Sequence, residues 1–192
     1  NRLKKNLERI KPIMEQQGVS SYRIYDADMP EYSAAIDLYE GKWVHLQEYA
    51  PPLTIDPEAA ETRLEELIDA TERVLGIDRD DIHVKQRREQ KDFGQYTRLA
   101  NKAQIRIIRE HGLMFAVNFT DYIDTGIFLD HRPVRNMIME TAKGKRFLNL
   151  FCYTGTATVH AAAGGALSTV SVDASATYLD WAMQNMRMNG FE

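Results

Sequence analysis

RFLNLFCYTGTATVHAAAGGALSTVSVD, residues 146–173, decides how the rest of the chain is read. The apolar run from Phe147 to Phe151 has the length of a parallel strand buried on both faces. Gly155 follows in a short turn, where a missing Cβ permits a sharp bend and a close approach of the backbone to a ligand. Small residues then dominate, and Ala157, Ala161, Ala162, Ala163, Gly164 and Gly165 let a helix lie close to the sheet. A second strand ends at Asp173, 18 residues beyond Gly155. That spacing is near the one at which an acid meets a ribose diol in nucleotide-binding βαβ units, so the stretch predicts an α/β, Rossmann-like domain and a ribose-bearing ligand.

The turn narrows the ligand. A dinucleotide site normally brings G-x-G-x-x-G, whose closely spaced glycines admit a pyrophosphate to a helix N-terminus. Here only Gly155 is present, and bulky Phe151, Cys152 and Tyr153 occupy the approach. An adenosine without phosphates suits such a turn better than NAD does, and S-adenosylmethionine is a molecule of that kind. The alternative is that Gly155 merely ends a strand in some other α/β protein.

The strings LNLFCYTGTATVHAAAGGA, VDAS and NMRMNG carry a resemblance that extends through NRLKKNL, YRIYDADMPEY, QEYAPP with TID, VLGI and TDYIDTGIFLDHR to the whole chain. They resemble class I S-adenosylmethionine-dependent methyltransferases, and among them the RlmK-type module of the fused bacterial 23S rRNA guanine methyltransferases. The resemblance implies a partner, 23S rRNA, a cofactor, S-adenosylmethionine, and a product methylated on N7 of guanine. RNA enzymes that make 5-methylcytosine share the LDHR-like and YTG-like segments. In the family the Asp-Pro-Pro type catalytic motif comes later than this sequence reaches. The expectation is therefore a piece of a longer protein, with catalytic residues beyond Glu192 and little turnover of its own.

Residue types divide the roles within the motif. Asn149, where many methyltransferases have an acid, orients the turn or binds the donor's amino group, while Thr154 and Gly155 bring the turn to the cofactor. Phe151 and Tyr153 flank the donor, or pack the core as aromatic residues beside strands commonly do. Asp173 accepts from two ribose hydroxyls, which suits a carboxylate. A second contact region is TDYIDTGIFLDHRPVRNMIMETAKG, in which Asp130 caps a helix that ends at Gly144. The resemblance puts Asp130 and Arg132 at the pocket, with Arg132 reaching the methionine carboxylate. On the residues alone, Asp130 is only a cap and Arg132 only a solvated charge. Cys152 lacks an adjacent activating His or Lys and reads as structural, and His131 and His160 read as packed or surface residues.

A chain of 192 residues, 44% hydrophobic and 27% charged, is large enough for one substantial domain or two small ones. No segment approaches the roughly 20 apolar residues of a membrane span, and no signal-like start is present, so a cytoplasmic location is expected. A single cysteine forms no internal disulfide, and no Cys/His group has zinc-ligand spacing.

Three parts are expected: a helix in residues 1–20, a small α/β domain over 21–120, and, as the resemblance implies, the first half of a methyltransferase domain over 121–192. Leu3, Leu7, Ile10 and Met14 make the first helix amphipathic, with Pro12 a possible interruption. Hairpins are expected around Glu40-Gly41 and His111-Gly112, and a helix from Asp56-Pro57 to Gly76. Pro51 and Pro52 close the first hairpin.

The net charge of −4 argues against nonspecific polyanion binding by the chain as a whole. Locally, Lys85, Arg87, Arg88, Lys91, Arg98, Lys102, Arg106 and Arg109 face only Glu89 and Asp92. Strand IHVKQRR sends His83, Lys85 and Arg87 to one face, a basic strip with Phe93 and Tyr96 beyond it, so Lys85, Arg87 and Arg88 are candidate RNA contacts. The bland alternative is a solvated strand face. Residues 48–81 are acidic by eleven to three and should lie outside any RNA footprint. Two readings stand: part of an RNA methyltransferase, or an RNA-binding or assembly module with an idle cofactor fold. A homodimer through an exposed sheet edge is a further expectation.

Overall fold

The computed structural model describes residues 2–49, 55–87 and 104–191, and the chain forms two compact units, Asn1–Gly94 and Gln95–Glu192. No helix among the described residues is long and apolar enough to cross a membrane.

In the first unit α1 (Arg2–Gln16) precedes β1 (Tyr22–Asp26), β2 (Ala34–Tyr39) and β3 (Trp43–Tyr49), and α2 (Pro57–Leu75) leads to β4 (Ile82–Arg87). β1, β2 and β3 form an antiparallel meander, and β4 pairs with β3 in parallel, Val44 opposite Ile82. A parallel neighbour needs a crossover, which α2 supplies. Leu3, Ile24, Ile36, Val44, Leu46, Leu67 and Ile68 form the core between this sheet and the two helices. Pro57 sits in the first turn of α2, and Gly76 ends it at φ 65°, donating its N–H to Glu72 O. Asp56 makes no side-chain capping bond. Pro12 lies inside α1 without breaking it, its ring on the exposed side. Pro51 and Pro52 lie outside the described residues.

The second unit opens with the hairpin β5 (Ile105–Glu110) and β6 (Leu113–Asn118), then α3 (Arg132–Thr141), β7 (Arg146–Leu150), α4 (Thr156–Ala163), β8 (Ser168–Val172) and α5 (Ala176–Met188). His111 and Gly112, at φ 51° and 79°, give the hairpin the two positive-φ residues of a tight type I′ turn. β7 and β8 are parallel, Leu148 opposite Val170, with α4 as the crossover. A Cβ on Gly164 would collide with the Met139 carbonyl, so α3 and the end of α4 meet at backbone distance.

α5 fastens the hairpin through one row of side chains. Trp181, Asn185 and Asn189 are four residues apart and share a helix face. Trp181 Nε1 donates to Ala116 O at 3.1 Å, and Asn185 Oδ1 accepts from Ala116 N at 3.0 Å. One turn further, Asn189 accepts from Met114 N and donates to Met114 O, at 2.8 and 2.7 Å. The helix thereby satisfies the free edge of β6 as a strand would.

β7 departs from the expected burial on both faces. Leu148 is 59% exposed, Leu150 57% and Val170 55%, because α4 covers only the opposite face of the pair.

Candidate functional site

β7 runs into the turn Phe151–Gly155 at the carboxyl end of the parallel pair, where ligands of open α/β sheets bind. Phe151, Tyr153 and Gly155 have φ of 57°, 53° and 69°. A bulky residue in the left-handed region costs on the order of 1–3 kcal/mol and persists only where its surroundings enforce it. Phe151 and Tyr153 thus take the backbone shape that closely spaced glycines would take, although only Gly155 is a glycine.

Several bonds enforce the shape. Cys152 N donates to Val172 O at 2.9 Å, and Tyr153 N donates to Asp173 Oδ2 at 2.8 Å. Asp173 Oδ1 accepts from Ser175 N at 2.9 Å. The acid at the end of β8 therefore touches the turn at the end of β7, and each of its oxygens keeps a further lone pair. Thr154, fully buried, donates its hydroxyl to Gly126 O at 2.5 Å and accepts from Asn185 Nδ2 at 2.8 Å. The two segments singled out in the sequence are joined by that Thr154–Gly126 bond.

Other residues sit differently from their expected roles. A Cβ on Gly155 would lie 2.6 Å from Ala182 Cβ, so the close approach permitted there is to α5. Asn149 Nδ2 donates to Thr158 Oγ1 at 3.0 Å, which in turn lies 2.7 Å from Ser171 Oγ, a polar row linking β7, α4 and β8. Phe151 is 89% exposed. The Tyr153 ring stands edge-on to Tyr178, centroids 4.6 Å apart, and 5.3 Å from Phe128. Cys152 is buried, and burial, helped by Asp173, pushes its thiol pKa up. That favours the protonated, unreactive form.

Asp130 is not a helix cap. It lies in a 3₁₀ turn, Leu129–His131, the position before α3 is His131 with no capping bond, and the Asp130 side chain is 81% exposed. Arg132 is not a solvated charge either. Its side chain is 15% exposed, 3.8 Å from Glu110 Oε2, and Nη2 donates to Leu129 O at 3.4 Å. Burial lowers its pKa, against the pull of Glu110.

A scan against family models matches residues 47–192 to the S-adenosylmethionine-dependent methyltransferases. The chain belongs to that family. The ribosomal RNA large subunit methyltransferase K/L of Stutzerimonas stutzeri is 55% identical over 191 residues, covering 100% of this chain and 26% of the relative. The protein of that name from Magnetococcus marinus is 54% identical over 192 residues, again 100% and 26%. The chain thus spans about a quarter of the length of these curated relatives. Among solved structures, a SAM-dependent methyltransferase from Streptococcus mutans aligns with TM-score 0.73 and 25% identity, over 99% of this chain and 49% of that one. A methyltransferase solved in complex with SAH aligns with TM-score 0.74 and 25% identity, over 99% and 48%.

In this methyltransferase chain the sequence reading missed a buried ion-pair group. Glu110, at the end of β5, accepts from Arg135 Nε at 2.6 Å and Nη2 at 2.8 Å, and Arg135 Nη1 donates to Phe128 O at 2.8 Å. The pair holds the loop before α3 against the hairpin. His160 is fully buried, stacks on Phe115, and its Nδ1 lies 2.8 Å from Thr156 O. Its Nε2 is 3.4 Å from Glu110 Oε1 and 3.3 Å from His111 Nδ1. Burial lowers the His160 pKa. Ligand atoms of Glu110, His111 and His160 gather within 4.8 Å of one another. Both Glu110 oxygens already serve Arg135, and Arg132 adds a second guanidinium, so the group reads as an ion-pair network in which a dication would be repelled. Nothing in the sequence pairs Glu110 with Arg135 across 25 positions.

The methyltransferase chain also has a hollow of about 210 Å³ lined by residues that include Ile105, Asp121, Tyr122, Asp180 and Trp181. None of the cofactor residues nominated from sequence lines it.

The candidate RNA strip is less open than a solvated face. Register sets Asp37, His45 and His83 side by side, and Gln47 beside Lys85. Asp37, His45 and Gln47 are buried, and Lys85 and His83 are half-buried. Burial, with Lys85, His83 and Arg23 adding positive charge, takes the His45 pKa down to about 3. Arg88 lies outside the described residues, as does the side chain of Arg87.

Proposed function

We propose that this chain carries the methyl-donor half of a 23S rRNA methyltransferase that modifies N7 of a guanine, with residues 21–120 containing RNA-facing surface and residues 121–192 the first part of the catalytic fold. The observation that carries the reading is the 2.8 Å bond from Tyr153 N to Asp173. It brings a ribose-binding type of carboxylate and a left-handed turn to the carboxyl ends of two parallel strands. The fit to S-adenosylmethionine rests on that donor set. Asp173 retains lone pairs for the ribose hydroxyls, the half-buried Tyr153 ring, backed by buried Tyr178, offers aromatic surface for the adenosine, and the buried Thr154-Gly155 backbone, packed on α5, sets the turn behind the cofactor.

Asn149 supports the turn through Thr158 and keeps its carbonyl oxygen for the donor's amino group. Phe151, solvent-facing at the strand end, flanks the donor, and Asp130 and Arg132 edge the site, with Arg132 toward the methionine carboxylate. S-adenosylmethionine supplies the electrophilic methyl group. N7 of guanine has a free lone pair, so the protein need not remove a proton from it, and proximity and orientation carry most of the rate. The 5-methylcytosine alternative needs a thiolate, and the raised pKa of buried Cys152 disfavours that thiol in such a role. Lys85, Arg87 and Arg88 remain the proposed RNA contacts on β4 and beyond, and the exposed apolar face of β7 and β8 a proposed contact with a second copy.

Deleting the gene should remove one 7-methylguanosine from 23S rRNA, read by nuclease digestion and mass spectrometry; unchanged methylation would overturn the substrate assignment. Asp173→Ala should abolish calorimetric binding of S-adenosylmethionine, and unchanged affinity would overturn the pocket. RNA retention without any donor binding by the wild type would favour the idle-module reading instead.

A further inference from the structure

We propose that one flank of α1, built from Arg2, Lys5 and Arg9, is a docking surface for the phosphate backbone of the RNA substrate, an inference that rests on the rRNA reading above. The helix is fixed first by its apolar face. Leu3 is buried in the core, Leu7, Ile10 and Met14 pack against it, and Asn6 Nδ2 donates to Ile24 O at 3.0 Å and Asp28 Oδ2 at 2.5 Å. With 3.6 residues per turn, the remaining charges fall on two flanks.

The flanks differ in balance. On one, Lys4 pairs with Glu8 at 3.9 Å and Lys11 with Glu15 at 3.8 Å. On the other, Arg2, Lys5 and Arg9 follow one another at i, i+3 and i+7, and the stripe continues through Pro12, Ile13 and Gln16 without an acid. Arg2 meets Asp28 at 3.4 Å. Lys5 and Arg9 are exposed and have no ion pair among the described residues. They stand at i, i+4, where like charges repel.

An anion along this flank relieves that repulsion, and a linear polyanion matches its shape. Arg2 and Arg9 are separated by a rise of about 10 Å, the scale of about three nucleotides at ~3.4 Å per strand. The helix as a whole holds five cations, Arg2, Lys4, Lys5, Arg9 and Lys11, against Glu8 and Glu15, in a chain of net charge −4. α1 is thus a locally cationic element in a net-negative chain, which favours a polyanion along its acid-free flank.

The test compares two double variants of equal net charge in the full 192-residue chain. Lys5→Ala with Arg9→Ala empties the proposed flank, and Lys4→Ala with Lys11→Ala empties the paired one. Binding of a fluorescein-labelled RNA hairpin is followed by anisotropy across a potassium chloride series. Loss of two phosphate contacts should weaken the first variant about 25- to 60-fold at about 0.1 M salt and flatten the slope of log affinity against log salt by about 1.4–1.8. The second variant should stay near wild type, and the swap Lys5→Arg with Arg9→Lys should retain affinity. Equal losses in both double variants, or no loss in the first, overturn the inference and leave the rRNA reading standing. Failure of the wild-type chain to retain RNA overturns both, and titration with S-adenosylhomocysteine then reports separately on the donor site.

Discussion

Replacing Asn185 by leucine tests how the turn is held. The side chain is fully buried, donating to Thr154 O at 2.8 Å and accepting from Ala116 N at 3.0 Å. Leucine has a similar volume and opens no large cavity, so the change isolates two hydrogen bonds. Each buried backbone group left unpaired costs about 1–3 kcal/mol, and the added apolar burial offsets about 1.5–3 kcal/mol of the sum. A net loss of about 2 kcal/mol is expected. In a unit of about 100 residues that lowers the melting midpoint by roughly 8–16 °C. Differential scanning calorimetry reads the shift, with exposed Met183→Leu on the same helix as a control expected within about 0.5 kcal/mol of wild type. A midpoint for Asn185→Leu within about 2 °C of wild type would refute the claim that this amide ties α5 to the turn and the hairpin.

Glu110→Gln leaves the Arg135 and Arg132 guanidinium groups without their buried counter-charge and should cost about 3–5 kcal/mol in thermal unfolding, whereas Glu110→Leu with Arg135→Met should recover part of that loss. Gly126→Ala places a Cβ against the Trp181 ring at a backbone φ of 103°, so intrinsic tryptophan emission should shift and the protein should be destabilised. His45 and His160 are both displaced below the ordinary imidazole value by burial, so the unfolded chain binds their protons first. Stability should therefore be flat above about pH 6.5 and fall as the pH drops toward about 3 for His45, a slope that denaturant titrations at stepped pH should show flattened in His45→Gln. Cys152 should resist thiol reagents in the native protein and react after denaturation, because its thiol is buried with a raised pKa.

The local chemistry of the chain was largely legible in its sequence. Gly76 ending α2, the His111-Gly112 hairpin, the β7–α4–β8 crossover and the meeting of Asp173 with the turn all follow from residue type and short spacing. The residues that fix the site were not legible, for a common physical reason. Asn185 and Asn189 look like polar surface on an amphipathic helix until β6 is placed beside them. Arg135 looks like another surface charge until Glu110 closes on it from a distant strand. Phe151 and Tyr153 adopt left-handed conformations that no propensity assigns to aromatic residues, since the enforcing bonds come from Val172 and Asp173 on the next strand. The run Leu148–Leu150 reads as buried because apolarity reports what a strand prefers, while its exposure depends on which elements cover each face.

The meeting of the turn and the acid at one donor site is tested most directly by amide resonances of the nitrogen-15-labelled chain during titration with S-adenosylhomocysteine. Tyr153, Thr154 and Ser175, whose N–H groups lie in the turn or on Asp173, should shift together along one saturating curve, while amides of α1 and α2 stay in place. Saturable binding that leaves those three resonances unmoved would contradict the account.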